Sequence, residues 1–442
     1  MAIIMHVDMN SYFASAEQQA NPFLRGKAIG VTGKRKERSV VAAASREAKL
    51  RGVKTAMATW QALQILPSII LVPGDPEKYS YITNTFNRIF IEESDAVQRF
   101  SVDESFLDVT QASGGDYFGA IAIALRIKDR LRKECGSYIT ASIGIGPNKV
   151  VAKLASERIK PDGLTVIPPH QAISLIDQCE LQDLCGIGPR TTKHLEALGI
   201  YSFPQLRAYP VKALEAEFHS YGRWLHEAAH GRGDDIVCSD ETPQRSYGHS
   251  YTLPQNTDDV AVAERYLLGL CEKVAWRMRR DGFLTRTVAS YVRFGDFSGA
   301  GGQVTLDEPS ADGWKLFLAA RSILVSTDLF PKSHHKNTSQ VIGPLPLRPH
   351  NPEFHNQTTS PLQYFTTPTP LKPIRLVGIS ATSLVPGHEP LPLTLKDRKL
   401  AHLLPALDKL QTRYGDRAWT RASLLRTEVL ARTSGFAYDH EI

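Results

Sequence analysis

Cysteine is scarce in this chain and badly placed for structure-building. Its five residues, Cys135, Cys179, Cys185, Cys238 and Cys271, are scattered, odd in number and never arranged as CxxC. That argues against a zinc site and a disulfide framework and fits a reducing compartment. No apolar run approaches the roughly 20 residues that a helix needs to cross a bilayer, so no membrane partner is expected. A Walker A sequence is missing. Gly144-Ile145-Gly146-Pro147-Asn148-Lys149 lacks the third glycine of a dinucleotide loop and carries a proline, which argues against a Rossmann reading. The N-terminus has no basic leader or cleavage site and enters a strand at once, so a cytoplasmic location is expected. There is no internal repeat.

What is present is ordinary for a multidomain protein: 442 residues, 42% hydrophobic and 22% charged, with a net charge of +6. Such a length exceeds one ordinary core. The positive balance favours a polyanionic partner without requiring one.

Two acidic stretches organise the chemistry. Asp8-Met9-Asn10 follows the apolar run Ile3-Ile4-Met5-His6-Val7, and Asp103-Glu104 precedes Phe106-Leu107-Asp108-Val109. Each reads as a strand that delivers carboxylates at or near its end. Asp8, Asp103 and Glu104, with the Met9 carbonyl, make a set of hard oxygen ligands for two divalent cations, the arrangement that serves phosphoryl transfer. Neighbours in a regular strand face opposite sides, so the chain must turn at Asp103-Glu104, as at a hairpin tip. Adjacent acids on a solvated loop would read the same way. Asp108 reads as a strand-end polar residue. A triphosphate also needs cations, and Arg46, Lys49 and Lys160 are available.

Around these stretches, helical and period-two patterns alternate as far as Val166, which describes an α+β catalytic region. Strands are expected at 27–31, 39–43, 69–72 and 138–144, and helices at 11–19, 60–66, 77–93, 118–134 and 148–158. Residues 167–240 read as short helices. Among them Gly186-Ile187-Gly188 is a tight turn leading into a helix that begins Pro189-Arg190-Thr191-Thr192-Lys193. Gly186 and Gly188 can present backbone N–H groups to a phosphate, with Arg190 and Lys193 beside them, as in a helix–hairpin–helix on DNA backbone. A plain helical hairpin with a glycine cap is the alternative. Beyond a linker at 241–244 the order β-α-β-β-α-β is that of a split βαβ unit. Its expected strands are 245–253, 285–294, 303–306 and 373–380, and its helices 260–278 and 314–325. Residues 331–371, rich in Pro, Thr, Ser, Asn and His, read as an extended insertion. Their histidines are too irregularly spaced for a metal site. A tail from 386 to 442 carries one amphipathic helix.

Six motifs, in order, resemble those of the Y-family translesion DNA polymerases, nearest to the DNA polymerase IV (DinB) branch. They are Asp8-Met9-Asn10-Ser11-Tyr12-Phe13-Ala14-Ser15-Ala16-Glu17; Ser45-Arg46-Glu47-Ala48-Lys49 with Gly52-Val53; Ser101-Val102-Asp103-Glu104-Ser105; Gly144 to Lys149 with Ala152-Lys153; Lys160-Pro161-Asp162-Gly163; and the Gly186-Ile187-Gly188 hairpin. The resemblance implies a right-handed core with a palm (1–20 and 74–166), fingers (21–73) and thumb (167–240). It also implies a C-terminal βαββαβ little finger at 241–385. It implies that Asp8, Asp103 and Glu104 bind two Mg²⁺ ions, with Mn²⁺ a substitute, and that Phe13 is a steric gate against the sugar, with Tyr12 beside it. Lys160 and the fingers residues Arg46 and Lys49 would meet the triphosphate. Primer–template DNA and a dNTP are then the partners of a monomeric, low-fidelity polymerase.

The sequence departs from the family at three of these positions. Asn10 stands where polymerase IV usually has a second aspartate, Arg46 where a tyrosine is usual, and Lys49 where an arginine is usual. Glu389-Pro390-Leu391-Pro392-Leu393-Thr394-Leu395 occupies the place of the sliding-clamp peptide without its glutamine or terminal aromatic. Two other readings use parts of the same features: a non-catalytic DNA-binding relative, and a nucleotide cyclase. All three carboxylates being present argues against the first. The helix–hairpin–helix argues against the second, since a cyclase needs no duplex.

Overall fold

A computed structural model of the chain describes residues 2–33, 38–239, 244–326, 372–388, 395–415 and 418–424, with backbone only at 326 and 395–402. The expected insertion at 331–371 and residues 389–394 of the clamp-peptide position lie outside the described residues. The chain forms two compact units, the first ending at Glu241 and the second spanning Thr242–Ala431.

In chain order the first unit begins with β1 (Ile4–Met9), α1 (Tyr12–Ala20), β2 (Ile29–Thr32), β3 (Ala43–Ala44), α2 (Arg46–Lys49), α3 (Thr59–Ile65) and β4 (Ile70–Pro73). It continues with α4 (Pro76–Glu93), β5 (Ala96–Arg99), β6 (Glu104–Asp108), α5 (Tyr117–Arg130), β7 (Ala141–Gly146), α6 (Lys149–Arg158) and β8 (Leu164–Val166). Five short helices complete it: α7 (Ala172–Asp177), α8 (Pro189–Ala197), α9 (Phe203–Ala208), α10 (Val211–Phe218) and α11 (Ser220–Ala229).

The main sheet has the order β5-β6-β1-β7-β8. Every residue of β1 is buried, which explains its near-continuous apolar run: it is a central strand covered on both faces. It runs antiparallel to β6 and to β7. Phe86, Ile89 and Phe90 of α4, with Ile123 and Ile127 of α5, pack with Met5, Val7 and Ile143 in one core. Helix α6 lies close against β7 and β1 because Gly144 has no side chain: a Cβ there would sit 2.1 Å from the Ala152 carbonyl oxygen. The glycines of the 144–149 stretch therefore serve helix–strand contact, not a dinucleotide. Asn148 caps α6 through the Val151 amide, 3.0 Å away.

A small three-stranded sheet, β3-β2-β4, carries the region after α1. Here the expected strand over 39–43 shrinks to the two residues of β3. The Ser39 hydroxyl accepts the Gly33 amide at 2.7 Å, so a side chain takes a place that a strand partner would hold, and Val40 makes only an isolated bridge to Ala58. Strand β7 starts at Ala141, three residues later than expected, because a turn at Gly136 takes the Ile139 amide.

The second unit contains β9 (Tyr247–Thr257), α12 (Val260–Arg280), β10 (Phe283–Phe294), β11 (Gly299–Ser310), α13 (Gly313–Ser326), β12 (Ile374–Pro386) and α14 (Leu395–Tyr414). The β-α-β-β-α-β order holds, with an antiparallel sheet β11-β10-β12-β9. Each strand runs past its expected bounds at one end at least, although β9 and β12 start one or two residues late; ladder pairing carries Gly299–Gly302 and Ala381–Pro386 beyond the apolar pattern. Leu267, Leu270, Cys271, Val274 and Met278 of α12 pack with Val288, Val292 and Val377. The stretch after β12 folds back onto this unit: Leu424 joins that core. The Arg279 guanidinium of α12 grips Asp408 of α14 with two bonds of 2.7 Å and donates a third to the Ala311 carbonyl.

This fork generates a stability prediction. Arg279→Met leaves the half-buried Asp408 carboxylate without its partner and should cost about 2 kcal/mol. The measurement is the urea midpoint of the full chain; an unchanged midpoint would mean that the fork adds nothing.

Candidate active site

Directly opposed residues of an antiparallel pair point to the same side. The β1–β6 register pairs Asp8 with Glu104, so backbone pairing alone brings these two carboxylates together. Asp103 lies one residue before β6, in the turn of the β5–β6 hairpin. The Met9 amide donates to its carbonyl at 2.9 Å, fastening β1 to the hairpin tip. The Phe100 and Ser101 amides close the turn on the Glu104 carbonyl at 2.9 and 3.0 Å. The Ser101 hydroxyl donates to the Asp103 carboxylate at 2.8 Å and orients it. Burial raises the Asp103 pKa.

Among the described residues, Asp8, Glu104 and Glu157 form a carboxylate group whose oxygens lie within 4.8 Å of one another. Glu157 was not anticipated. It comes from α6, and its approach depends on the contact that Gly144 permits. Two lysines balance the group. Lys160 Nζ lies 2.5 Å from Asp8 Oδ2 and 2.6 Å from Glu157 Oε1. Lys153 Nζ, also from α6, lies 2.8 Å from Glu104 Oε1 and 5.0 Å from the centre of the Phe100 ring. Burial pushes the Asp8 carboxyl up to about 6; Lys160 opposes this, while Glu104 and Glu157 add to it. Burial also works against the Lys160 charge, but Asp8 and Glu157 outweigh it, and its pKa ends above the ordinary value. Crowded, partly desolvated carboxylates with only oxygen donors fit a hard divalent cation of the Mg²⁺ or Mn²⁺ kind.

Lys49 lies within electrostatic reach of this group. Its pKa is lowered, first by burial and then by Lys160, against the pull of Asp8, Glu157 and Asp103. Arg46 is exposed on the same short helix, and no contact joins it to the carboxylates. Glu47 between them accepts from Gln18 at 3.2 Å, tying α2 to α1.

On α1 the Phe13 ring stacks on Tyr79, with centroids 4.5 Å apart and planes at 23°. The Tyr79 hydroxyl donates to Glu17 at 2.7 Å, and Lys78 pairs with the same carboxylate at 2.8 Å. Tyr12 is 2% exposed, and its hydroxyl donates to the Tyr79 carbonyl at 2.6 Å. Tyr12 therefore packs behind Phe13 as a support. Neither Tyr79 nor its link to Glu17 has a local signal in the sequence; both depend on α4 crossing α1.

In the helical region Gly186 has φ 111°, a left-handed value that suits glycine. The Tyr221 hydroxyl donates to its carbonyl at 2.8 Å. A Cβ on Gly186 would meet the Trp224 ring at 3.2 Å. Gly188 opens α8, with Pro189 at the first helical position, and Arg190 and Lys193 are exposed beside it. Tyr221 and Trp224 reach the hairpin from α11, far along the chain, and could not be read from the motif itself.

The sequence matches the impB/mucB/samB family over residues 7–157 and that family's C-terminal domain over 244–338. A DNA polymerase IV of Moorella thermoacetica is 34% identical over 434 residues, which covers 95% of each chain. Another, of Pelotomaculum thermopropionicum, is 32% identical over 440 residues and 98% of each. Among solved structures, a chimera of the Y-family polymerases Dbh and Dpo4 has a TM-score of 0.70 at 23% identity, covering 87% of this chain and all of its own. DinB from Sulfolobus solfataricus has a TM-score of 0.52 at the same identity and coverage. The chain belongs to the impB/mucB/samB family, the DNA polymerase IV lineage of the Y-family DNA polymerases. No helix among the described residues is long and apolar enough to cross a membrane.

The crowding has a measurable pH signature in protein stripped of divalent cations. A carboxyl raised from 3.8 to about 6 favours the folded state only while protonated. That stabilisation is complete below about pH 4 and is lost as the pH rises through about 6, by at most about 3 kcal/mol. Denaturation of the wild type and Asp8→Asn in EDTA, from about pH 4 to about pH 8, should show a larger loss in the wild type, since the variant keeps only the contribution of other buried carboxyls such as Asp103. Parallel curves would reject burial of Asp8 as its source.

Proposed function

We propose that this protein extends a primer 3′-hydroxyl with deoxynucleotides on a DNA template and does so with low fidelity on damaged templates. The observation that carries the reading is the Asp8–Glu104 register, with Asp103 at the hairpin tip and the Phe13–Tyr79 stack on the adjoining helix. Asp8, Asp103, Glu104 and the Met9 carbonyl, with Glu157 at the edge, would hold two Mg²⁺ ions. When bound, these would lower the pKa of the attacking hydroxyl and neutralise charge on the leaving pyrophosphate.

The chain's own residues do the rest. Lys160 holds Asp8 and Glu157 in the free protein and turns to the triphosphate when a nucleotide enters. A lysine suits this exchange because its ammonium is a compact charge on a flexible stem. Lys49 meets the same triphosphate from the fingers side, and Arg46 extends that basic edge. Phe13 meets the deoxyribose at the position a 2′-hydroxyl would need, and the Tyr79 ring behind it denies it room to retreat. The amides at Gly186 and Gly188, with Arg190 and Lys193, hold a phosphate of the duplex without reading its sequence. The fingers offer three strands of two to four residues and two helices of four and seven residues, which is little surface with which to test the fit of a nascent base pair; this favours tolerance of distorted templates.

Primer extension on undamaged and abasic templates tests the assignment. Asp103→Ala/Glu104→Ala should lose at least about 10³-fold in rate while keeping duplex affinity. Equal rates in variant and wild type would reject the site. Retained duplex binding with no extension by either protein would favour the non-catalytic relative instead. Phe13→Ala should raise ribonucleotide use relative to deoxynucleotide use by about 10-fold or more, and unchanged selectivity would remove the gate.

A further inference from the structure

Lys128 of α5 is a buried cation whose partners are almost all backbone. It is 8% exposed. Its Nζ donates to the carbonyls of Ala141 at 3.1 Å, Asp162 at 2.6 Å and Gly163 at 3.0 Å, and it pairs with Asp162 Oδ1 at 2.7 Å. An ammonium taken out of water is tolerated only where oxygens replace its hydration, and here those oxygens belong chiefly to one short loop. That loop is under strain, since Asp162 has φ 57°, a left-handed value uncommon outside glycine. A second tether reaches it from the end of β1: Asn10 Oδ1 accepts the Asp162 amide at 2.7 Å, while Asn10 Nδ2 donates to Ser142 Oγ at 3.0 Å. Arg132 holds the outer Asp162 oxygen at 2.5 Å. Two residues before Asp162, Lys160 reaches Asp8 and Glu157.

We propose that Lys128 is a positioning residue, fixing the 160–163 loop so that the Lys160 ammonium stands where the incoming triphosphate arrives. Lys128 is too enclosed to touch a nucleotide. A methionine could fill its space, but it could not pull three carbonyls and a carboxylate to one point. The directional bonds are what the charge supplies, and they end two residues from Lys160. Asn10 takes part in the same hold. As an amide it donates to Ser142 while accepting from Asp162, which an ionised aspartate could not do.

The proposal rests on Lys160 meeting the triphosphate, and a double-mutant cycle on steady-state primer extension separates the two claims. Lys128→Met should raise the dNTP KM about 10-fold and change kcat far less, the pattern of lost substrate binding. Lys160→Ala should raise KM as well. In the Lys160→Ala background, Lys128→Met should add less than about twofold, because the group through which it acts is gone. Equal penalties in both backgrounds would make Lys128 merely structural and overturn the proposal, as would an unchanged KM for Lys128→Met beside a raised one for Lys160→Ala. An unchanged KM for Lys160→Ala would overturn the reading of Lys160, and the proposal with it. Circular-dichroism melting monitors folding. Should Lys128→Met lack a cooperative melt, Asp162→Ala, which removes the carboxylate shared by Lys128 and Arg132, takes its place in the cycle with the same expected non-additivity.

Discussion

Like charges at close range are the constraint that the first unit answers. The ladder between β1 and β6 sets Asp8 opposite Glu104, and α6 adds Glu157. At about 4 Å and an effective dielectric near 20, a pair of unit charges repels by about 4 kcal/mol. Strand pairing and buried apolar contacts have to hold the carboxylates against that repulsion. The surroundings then reduce it: Lys153 stands on Glu104, and Lys160 bridges Asp8 and Glu157. The Asp8 carboxyl is nevertheless raised to about 6, chiefly by burial, with Glu104 and Glu157 adding to it and Lys160 opposing.

The acids at the strand ends were legible because an apolar run followed by Asp, or a polar turn followed by an apolar run, marks where a central strand meets solvent. Asp8, Asp103 and Glu104 all lie at such points. The β-α-β-β-α-β order of the second unit was legible for a related reason, since both its periodicities are strong. Glu157 was not, and Lys153 stood only within a motif with no role at the site, because on α6 they look like ordinary polar positions of an amphipathic helix. What brings them in is Gly144, on a different element, whose missing side chain lets α6 approach the sheet. Strand β5 escaped notice because Ala96-Val97-Gln98-Arg99 is an edge strand, partly exposed along its whole length. Lys128 reads as one basic residue in Lys128-Asp129-Arg130, and only the sheet opposite it decides that it is buried while Arg130 pairs with Glu92, Glu93 and Glu134 on the surface.

The aromatic part of the site follows the same logic of remote support. A ring discriminates against an added hydroxyl only if it cannot move aside, because a small displacement would relieve the clash. Phe13 is held from behind by Tyr79, whose hydroxyl is fixed by Glu17, itself paired with Lys78. Tyr12 secures α4 from the other side through the Tyr79 carbonyl and Thr83. The family resemblance places Tyr12 beside Phe13 at the sugar. Both rings are buried in one core, Tyr12 at 2% exposure and Phe13 at 8%, but Tyr12 is tied by its hydroxyl to α4 while Phe13 stacks on the Tyr79 ring.

The two kinds of lysine in this site illustrate why fixation and freedom have to be separated along the chain. Lys128 is immobilised: every proton of its ammonium has a carbonyl or carboxylate partner, and the loop it binds is also held by Asn10 and Arg132. Lys160 hangs from that fixed loop by four methylenes, its ammonium bonded to the Asp8 and Glu157 carboxylates. If the loop moved, the lysine would have to be ordered at the moment of binding, at an entropic cost; if the side chain were as constrained as Lys128, it could not leave Asp8. On the proposed reading, holding the Lys160 backbone while leaving its side chain a choice of partners would let one cation serve Asp8 before a nucleotide arrives and the triphosphate afterwards. An arginine would serve this exchange less well, since its planar fork matches a carboxylate with two bonds and would hold Asp8 more firmly.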